Sequence, residues 1–259
     1  MKTIKEISER LKSTEIPQQW MKELETDHRI GVKTELERWY RKFEKKQQLK
    51  KMLQEKIDFD DSYKVADTEL VAGVDEAGRG PLAGPVVCAA VILPDEVDCL
   101  LGLDDSKKTP KQERNRLASL IKEIAVSYSI HIQSAERIDS VNIYAATRES
   151  METAVNNLSV YPSIVLADAM ALKVNCRCES IIKGDAQSLA IAAASILAKT
   201  TRDDLMDELD TCYPMYQFKK NAGYGTPEHV EALRIHGPCA QHRKTFEPVK
   251  SILEGVMER

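Results

Sequence analysis

The spacing of apolar residues along the chain changes near residue 66. Before that point, apolar and charged residues follow a helical period with breaks near Pro17 and Gly31, without the alternating pattern of strands. This predicts two or three helices in an N-terminal extension, residues 1–66. Beyond it, short β-branched runs between Gly/Pro-rich turns predict strands that alternate with longer helical segments.

The second part of the chain predicts one core made of a sheet and helices. The apolar runs 70–75 and 85–93 are joined by a short turn and predict a hairpin. Apolar and polar residues alternate over 126–132, which predicts a third strand with one buried face. Further strands are expected at 164–168 and 179–183, and helices at 109–124, 142–158, 188–210 and from Thr226 onward.

This order of elements predicts an α/β fold. A mixed central sheet flanked by helices on both faces is expected within residues 67–215, because three strands come first and βαβ-like units follow. Residues 216–259 are expected to form a C-terminal helical segment. The predicted helix starts combine a threonine N-cap with a following proline, as in Thr109-Pro110 and Thr226-Pro227.

The composition is that of a soluble globular protein. Of the 259 residues, 42% are hydrophobic and 30% are charged. Apolar runs stay well below the roughly 18 residues of a membrane span, and the first residues lack the apolar core of a signal peptide. Six cysteines are too few for a disulfide scaffold and suit reduced thiols. We therefore expect no membrane association and a cytoplasmic location.

Charge is distributed unevenly along the chain. The net charge of −4 combines +3 in residues 1–66 with −7 in the remainder. Between residues 38 and 51, a single acid, Glu44, accompanies seven basic residues: Arg38, Arg41, Lys42, Lys45, Lys46, Lys50 and Lys51. Such a stretch could follow the phosphates of a nucleic acid. The alternative is an ordinary solvated helix face.

Four carboxylates fall at strand ends or where a helix begins. Asp75 and Glu76 end the first predicted strand, Asp168 ends the fourth, and Asp185 precedes the long helix. Each alone is explained by a surface charge or a helix cap, but together they could project from one edge of the sheet. Clustered carboxylates repel one another, and their oxygens are the ligands that Mg²⁺ or Mn²⁺ prefers.

The turn after the first strand is rich in glycine. Residues 76–85 contain Gly78, Gly80 and Gly84 beside two of the acids. Glycine allows the main chain to approach a ligand closely, so this loop could present backbone groups to a sugar hydroxyl or a phosphate, with Arg79 adding charge. A tight structural hairpin is the alternative.

The helix after Asp185 carries a polar stripe. Its other members lie within about 40° of Ser188 on a helical wheel: Ser195, Lys199 and Arg202. A stripe of hydroxyls and cations that leads from a carboxylate site suits a phosphodiester backbone, and a solvated helix face is the alternative.

Several motifs resemble those of the prokaryotic ribonuclease HII family. The similarity covers roughly residues 70–247. It rests on GVDEAGRGPLAGPVV at 73–87, DSKK at 105–108, KGD at 183–185, IAAASILAK at 191–199, NAGYGT at 221–226 and HRKTF at 242–246. The DEAGRG sequence is typical of this family rather than of its sister group, ribonuclease HIII.

The resemblance implies a ribonuclease H-like fold and a metal-dependent endonuclease that acts on the RNA strand of RNA–DNA hybrids. It also implies cleavage on the 5′ side of ribonucleotides embedded in duplex DNA, leaving 3′-hydroxyl and 5′-phosphate ends. Two divalent ions, Mn²⁺ or Mg²⁺, are the implied cofactors, and we expect a monomer.

The resemblance also assigns roles to individual residues. The implied catalytic and metal-binding acids are Asp75, Glu76, Asp168 and Asp185. The implied 2′-hydroxyl sensor is Gly78, Arg79 and Gly80, with Tyr224 stacking on the sugar, so that residues 216–259 complete the substrate site. Lys107, Ser195 and Lys199 match backbone-contacting positions. Ala169 stands where many members of the family have glycine.

Two other classes of protein remain to be distinguished. A non-catalytic hybrid-binding protein with the same fold would be expected to lack at least one of the four acids. A related two-metal DNA nuclease or resolvase would be expected to lack the combination of Gly78-Arg79-Gly80 with Tyr224. Cleavage of duplex DNA that contains one ribonucleotide separates all three.

Overall fold

The structure, a computed structural model, describes residues 2–107 and 109–255, so Lys108 and the end of the predicted C-terminal segment lie outside the described residues. The chain divides into two compact units between Gln54 and Glu55. This division comes earlier than the predicted boundary at residue 66. The reason is that Phe59 and Tyr63 pack against apolar residues of the sheet, as part of the second unit.

The N-terminal unit is built from helices. Their bounds are Ile4–Lys12 (α1), Gln19–Glu25 (α2) and Ile30–Asp61 (α3), the last of which continues beyond Gln54. Thr3 and Glu6 form a capping box that starts α1. Apolar side chains spaced three or four residues apart form a small core: Ile7, Leu11, Met21, Val32, Leu36 and Trp39.

A five-stranded mixed sheet forms the centre of the second unit. The strands are Val71–Ala77 (β1), Val86–Ile92 (β2), Ser127–Gln133 (β3), Ile164–Asp168 (β4) and Arg177–Ile181 (β5). Their order is β3-β2-β1-β4-β5, with antiparallel pairing on the β3 and β2 side and parallel pairing among β1, β4 and β5. The predicted hairpin and the predicted mixed sheet are therefore confirmed.

Helices cover both faces of this sheet. The helices that follow β2 in the chain are Lys111–Ile124 (α4), Ala135–Val141 (α5), Ile143–Asn156 (α6), Gly184–Gln187 (α7), Leu189–Cys212 (α8), Phe218–Asn221 (α9), Pro227–His236 (α10) and Val249–Leu253 (α11). One face packs Ala72 and Val74 of β1 against Met151 and Ala154 of α6. On the other face, a Cβ at Gly73 would lie 2.0 Å from the Ala190 carbonyl carbon, so only glycine lets α8 approach β1 this closely.

Two local predictions are wrong in detail. Strand β3 exists, but Tyr128 and Ile132 are exposed, while the polar face that contains His131 packs on α6, where His131 Nδ1 lies 2.9 Å from Ser150 Oγ. At α4, the Thr109 hydroxyl donates to the Asp105 carbonyl instead of capping the helix. The predicted threonine N-cap at Thr226 is confirmed, since the Thr226 side chain accepts a hydrogen bond from the His229 N–H.

The C-terminal helices pack on the loop that follows β1. Leu82 and Ala83 of that loop share an apolar cluster with Phe218, Leu233 and Val249. Residues far apart in the chain thus meet around the glycine-rich turn. Among the described helices, none combines the length and apolar character needed to cross a membrane.

Candidate active site

Neighbouring strand ends bring two of the predicted acids together. Val74 of β1 pairs with Ala167 of β4 in parallel register, so Asp75 and Asp168 take the next positions on adjacent strands. Strands in a sheet lie roughly 4.8 Å apart, and alternation places both side chains on the α8 face. Glu76 follows Asp75 and therefore leaves the opposite face, beside its cross-strand partner Cys88.

The acids raise one another's pKa values. Burial raises the pKa of Asp75 well above its usual range, and the charges of Glu76 and Asp168 raise it further, against a hydrogen bond from Ser195. Burial also raises the pKa of Glu76, where the nearby Arg79 opposes the shift and Asp168 adds to it. The three carboxylates therefore form one electrostatic cluster.

Asp185 joins this cluster through Asp168. Burial raises the pKa of Asp168, the Gly184 N–H lowers it, and the charge of Asp185 raises it again. The Gly184 N–H donates to Asp168 Oδ1 at 2.6 Å, which ties the α7 turn to the end of β4. The structure therefore brings Asp185 within electrostatic range of Asp168, which is itself part of the cluster with Asp75 and Glu76.

Cations stand at the border of the acid cluster. Arg79 Nη1 lies 3.5 Å from Glu76 Oε1, and Lys107 is exposed but close enough to lower the pKa values of Glu76 and Asp168. Glu76 Oε2 is buried without a hydrogen-bond partner among the described residues. A carboxylate oxygen in that situation is suited to accept a cation.

Buried arginines hold the glycine-rich loop in place. Arg243 is fully buried, and its guanidinium donates to the carbonyls of Gly78, Arg79 and Gly84 at 2.5–3.2 Å. Gly78 has φ of +96°, and a Cβ there would lie 2.0 Å from Arg202 Nε, so the loop requires glycine at this position. The planar donor fork makes the loop rigid.

Arg202 holds the neighbouring part of the loop. Its guanidinium donates to the carbonyls of Ala83, Pro85 and Ala222 at 3.0–3.2 Å. The predicted polar stripe on α8 is therefore wrong as one exposed surface, because Arg202 and Ser188 are both buried. Their spacing indicated a common face but not that this face packs against the protein.

Tyr224 lies beside the loop. A Cβ placed on Gly80 would be 3.6 Å from Tyr224 Cε1, and the tyrosine side chain is half exposed. The Tyr224 carbonyl accepts a hydrogen bond from His229 Nδ1 at 2.8 Å, and His229 Nε2 lies 3.0 Å from His242 Nε2. Burial lowers the pKa of His229, and burial together with His229 lowers that of His242 to about 4. A neutral histidine pair therefore supports Tyr224.

Two other candidate residues already have partners within the protein. Ser195 Oγ lies 2.9 Å from Ser106 Oγ and is buried near Asp75. Lys199 donates to Asp203 at 2.5 Å. Both lie on α8, whereas Lys107 is an exposed residue of the loop before α4.

Sequence reasoning missed four residues that shape the site: Arg202 as a loop support, Arg243, Lys56 and Asp60. The HRKTF motif contains Arg243 but gives no sign of burial. Lys56 donates to the Asp185 carbonyl and Asp60 accepts the Ala190 N–H. Both are buried, although the charged helix in which they lie has the pattern of a solvated surface.

Comparison with known proteins identifies the family. A family model described as Ribonuclease HII matches residues 72–249, and one described as Ribonuclease HII N-terminal domain matches residues 3–64. The chain belongs to the ribonuclease HII family. It is similar to the ribonuclease HII of Lactobacillus acidophilus, with 48% identity over 97% of this chain and 100% of that protein. The chain is therefore an endoribonuclease of the ribonuclease H2 type, and its family is metal-dependent and acts on RNA–DNA hybrids.

Solved structures agree with this ribonuclease HII assignment. The fold is similar to ribonuclease H2 from Pyrococcus horikoshii, with a TM-score of 0.64 and 27% identity over 73% of this chain and all of that one. It is also similar to ribonuclease HII in a complex with PCNA from Archaeoglobus fulgidus, with a TM-score of 0.60 and 27% identity over 70% of this chain and 96% of that one. The ribonuclease H-like fold is confirmed.

The residues present fit divalent metal ions. The site offers carboxylate oxygens, which suit hard cations, and one of them is the buried, unpartnered Glu76 Oε2. The raised pKa values of Asp75, Glu76 and Asp168 indicate that the cluster lacks positive charge. Within the part of the chain that the structure describes, no three candidate ligands are yet grouped tightly enough to hold an ion. The fit therefore rests on the chemistry of the donors.

Proposed function

We propose that this member of the ribonuclease HII family hydrolyses the RNA strand of RNA–DNA hybrids and cuts on the 5′ side of ribonucleotides embedded in duplex DNA. The products would carry 3′-hydroxyl and 5′-phosphate ends. The observation that carries the proposal is the direct chain connection between the acid cluster and a rigid loop, since Glu76 and Gly78 are two residues apart. A reacting phosphate and the 2′-hydroxyl of the adjoining ribose are also close neighbours.

Asp75, Glu76, Asp168 and Asp185 are proposed to hold two divalent ions, Mn²⁺ or Mg²⁺. When bound, such ions supply activation of the attacking water and stabilisation of the leaving 3′-oxygen. The protein contributes fixed carboxylates on two strand ends and the α7 turn. Their mutual repulsion favours ion binding over an empty, fully ionised cluster.

The glycine-rich loop and Tyr224 are proposed to recognise the ribonucleotide. Gly78, Arg79 and Gly80 would present main-chain groups to the 2′-hydroxyl, the group that distinguishes RNA from DNA. Arg243 and Arg202 support this role by holding the loop carbonyls, which keeps the loop from adapting to a deoxyribose. The half-exposed ring of Tyr224 is positioned to stack on a sugar.

Contacts to the phosphate backbone are proposed for Lys107, Ser195 and Lys199. Lys107 is exposed beside the acids, which supports a direct phosphate contact. Ser195 and Lys199 would contact the substrate by exchanging their present partners, Ser106 and Asp203.

We further propose a monomeric enzyme in the cytoplasm, with a nucleic-acid-binding N-terminal extension. Free cysteines at six positions suit a reducing compartment. In the N-terminal unit, Arg41, Lys42, Lys45 and Lys46 are exposed on α3, as a phosphate-binding face requires. Sedimentation of the purified protein tests the monomer.

The decisive assay uses duplex DNA that contains one ribonucleotide. We expect a cut on its 5′ side with Mn²⁺ or Mg²⁺, and no cut in an all-DNA duplex of the same sequence. Binding without cleavage would instead indicate a hybrid-binding protein. Cleavage of DNA junctions without dependence on the ribonucleotide would indicate the DNA nuclease or resolvase.

A further inference from the structure

The break between α7 and α8 leaves main-chain groups that a continuous helix would pair internally. Ser188 has ψ of 134°, which interrupts the helix just after Asp185. In an unbroken helix the Asp185 carbonyl would accept the N–H four residues later. The main-chain carbonyl of Asp185, a proposed metal ligand, therefore needs another hydrogen-bond donor.

Lys56, near the end of α3, provides that donor. Its side chain is 4% exposed, and Nζ donates to the Asp185 carbonyl at 2.6 Å. Asp60, one helical turn later, accepts the Ala190 N–H at 2.9 Å on the other side of the same break. Both residues belong to the second compact unit, although they precede residue 67, where the core was expected to begin.

Lys56 also contacts a second loop of the site. Its Nζ lies 3.5 Å from Asp104 Oδ1. Asp104 precedes the segment that contains Ser106 and the exposed Lys107. The side chain of Ser106 is hydrogen-bonded to that of Ser195 on α8. One buried ammonium thus links the Asp185 turn to the loop that carries a proposed phosphate contact.

We propose that Lys56 is a positioning residue that fixes the Asp185 turn and the Asp104–Lys107 loop in the geometry needed for metal binding and catalysis. The proposal rests on the function proposed above. Residues that orient metal ligands typically change metal affinity or activity by about 10–100-fold when replaced. Lys56 does not contact the reacting atoms, so its effect passes through Asp185.

The experiment replaces Lys56 in the full chain. Lys56→Met keeps an unbranched side chain as far as Cε but removes the donor, and Lys56→Arg keeps a charged donor. Lys122→Met, at an exposed position of α4, is the matched control. Three quantities are measured: Mn²⁺ affinity by calorimetry without substrate, kcat and KM on the ribonucleotide duplex, and the unfolding temperature.

We expect Lys56→Met to weaken Mn²⁺ binding and lower kcat by about 10–100-fold each, with KM within about threefold of the wild type. Lys56→Arg should recover most of both losses, and Lys122→Met should match the wild type. Wild-type Mn²⁺ affinity and kcat in folded Lys56→Met would overturn the proposal.

A second variant decides the matter if Lys56→Met does not fold. Asp104 is a partly exposed loop residue, so Asp104→Asn keeps the fold while weakening the link to Lys56. A several-fold fall in kcat supports the proposal, and unchanged kcat and Mn²⁺ affinity overturn it. If the wild type leaves the ribonucleotide duplex uncut, the proposed function fails, whereas Mn²⁺ affinity without substrate still tests Lys56.

Discussion

The glycine-rich loop and the acid cluster adjoin in the chain but differ in how their polar groups are satisfied. Loop carbonyls are paired with the buried guanidinium groups of Arg243 and Arg202. The carboxylates retain raised pKa values and a buried unpaired oxygen, although Arg79 and Lys107 are near. The proposed recognition of a sugar hydroxyl would benefit from a loop whose carbonyls are held by buried arginines, whereas the proposed metal binding would benefit from carboxylates that still need positive charge.

The largest effect is expected from replacing one carboxylate of the acid cluster. Asp75→Asn or Asp185→Asn should lower cleavage of the ribonucleotide duplex by about 1000-fold or more, because an oxygen of a proposed metal ligand is lost. Substrate affinity, measured by fluorescence anisotropy, should stay within about threefold of the wild type. Normal turnover of either variant in Mg²⁺ or Mn²⁺ would contradict the assignment.

The next largest effect is expected from removing an arginine that donates to the carbonyls of the glycine-rich loop. Arg243→Met should destabilise the protein by about 3–5 kcal/mol, because three loop carbonyls lose a buried charged donor. Arg116→Met is the control, since the exposed Arg116–Glu113 pair is worth less than about 1 kcal/mol. Chemical denaturation measures both values, and a loss below 1 kcal/mol for Arg243→Met would show that the loop does not depend on this arginine.

The basic residues of α3 differ from both the acid cluster and the glycine-rich loop, because their charges are exposed. Replacing Lys42, Lys45 and Lys46 by glutamine should weaken hybrid binding and lower the slope of log K against log salt by about 2–3, because each lost phosphate contact contributes about 0.9. Lys122→Met should leave the slope unchanged. An unchanged slope in the triple variant would make this face an ordinary solvated surface.

The pH dependence of the free energy of unfolding tests the acid cluster separately from the glycine-rich loop, without substrate. Since burial raises the pKa values of Asp75, Glu76 and Asp168 in the folded state, the native protein holds protons that the unfolded chain releases. Without metal, the free energy of unfolding should fall as pH rises from about 4, and saturating Mn²⁺ should reduce that fall. Burial also raises the pKa of Asp60 to about 6, so comparison with Asp60→Asn measures the contribution of Asp60 to this pH dependence. A pH-independent free energy would contradict this account.

The smallest effect concerns the turn after β4. Ala169 has φ of +47°, in the left-handed region that disfavours a side chain. Ala169→Gly should stabilise the protein by about 1 kcal/mol in thermal or chemical unfolding. A destabilised variant would indicate that the alanine methyl group packs favourably enough to offset the backbone strain.

Much of the fold could be predicted because its signals are local. The run Ile164–Asp168 is a strand with the expected bounds, and Thr226-Pro227 starts a helix as expected. Strand β3 shows the limit, since its alternation was correct but its buried face was not. An edge strand packed on α6 through His131 and Ser150 can leave apolar residues in solvent, and no pattern within the strand reveals this.

The site was predictable where function limits the choice of residue. Asp75 and Asp168 follow apolar runs, so their carboxylates stood out. Arg202 stood out only as part of an expected phosphate-binding stripe, and Lys56 did not stand out, because charged residues in amphipathic helices usually face solvent. Their roles arise from main-chain carbonyls of other segments, and only the assembled structure brings those partners together.

Strand β1 delivers one acid to each side of the sheet, since Asp75 and Glu76 are consecutive. A single-residue insertion or deletion upstream within the strand would exchange the two sides and would also shift the loop that begins at Gly78. Natural variation in this enzyme should therefore tolerate length changes in the surface connections far more readily than in β1.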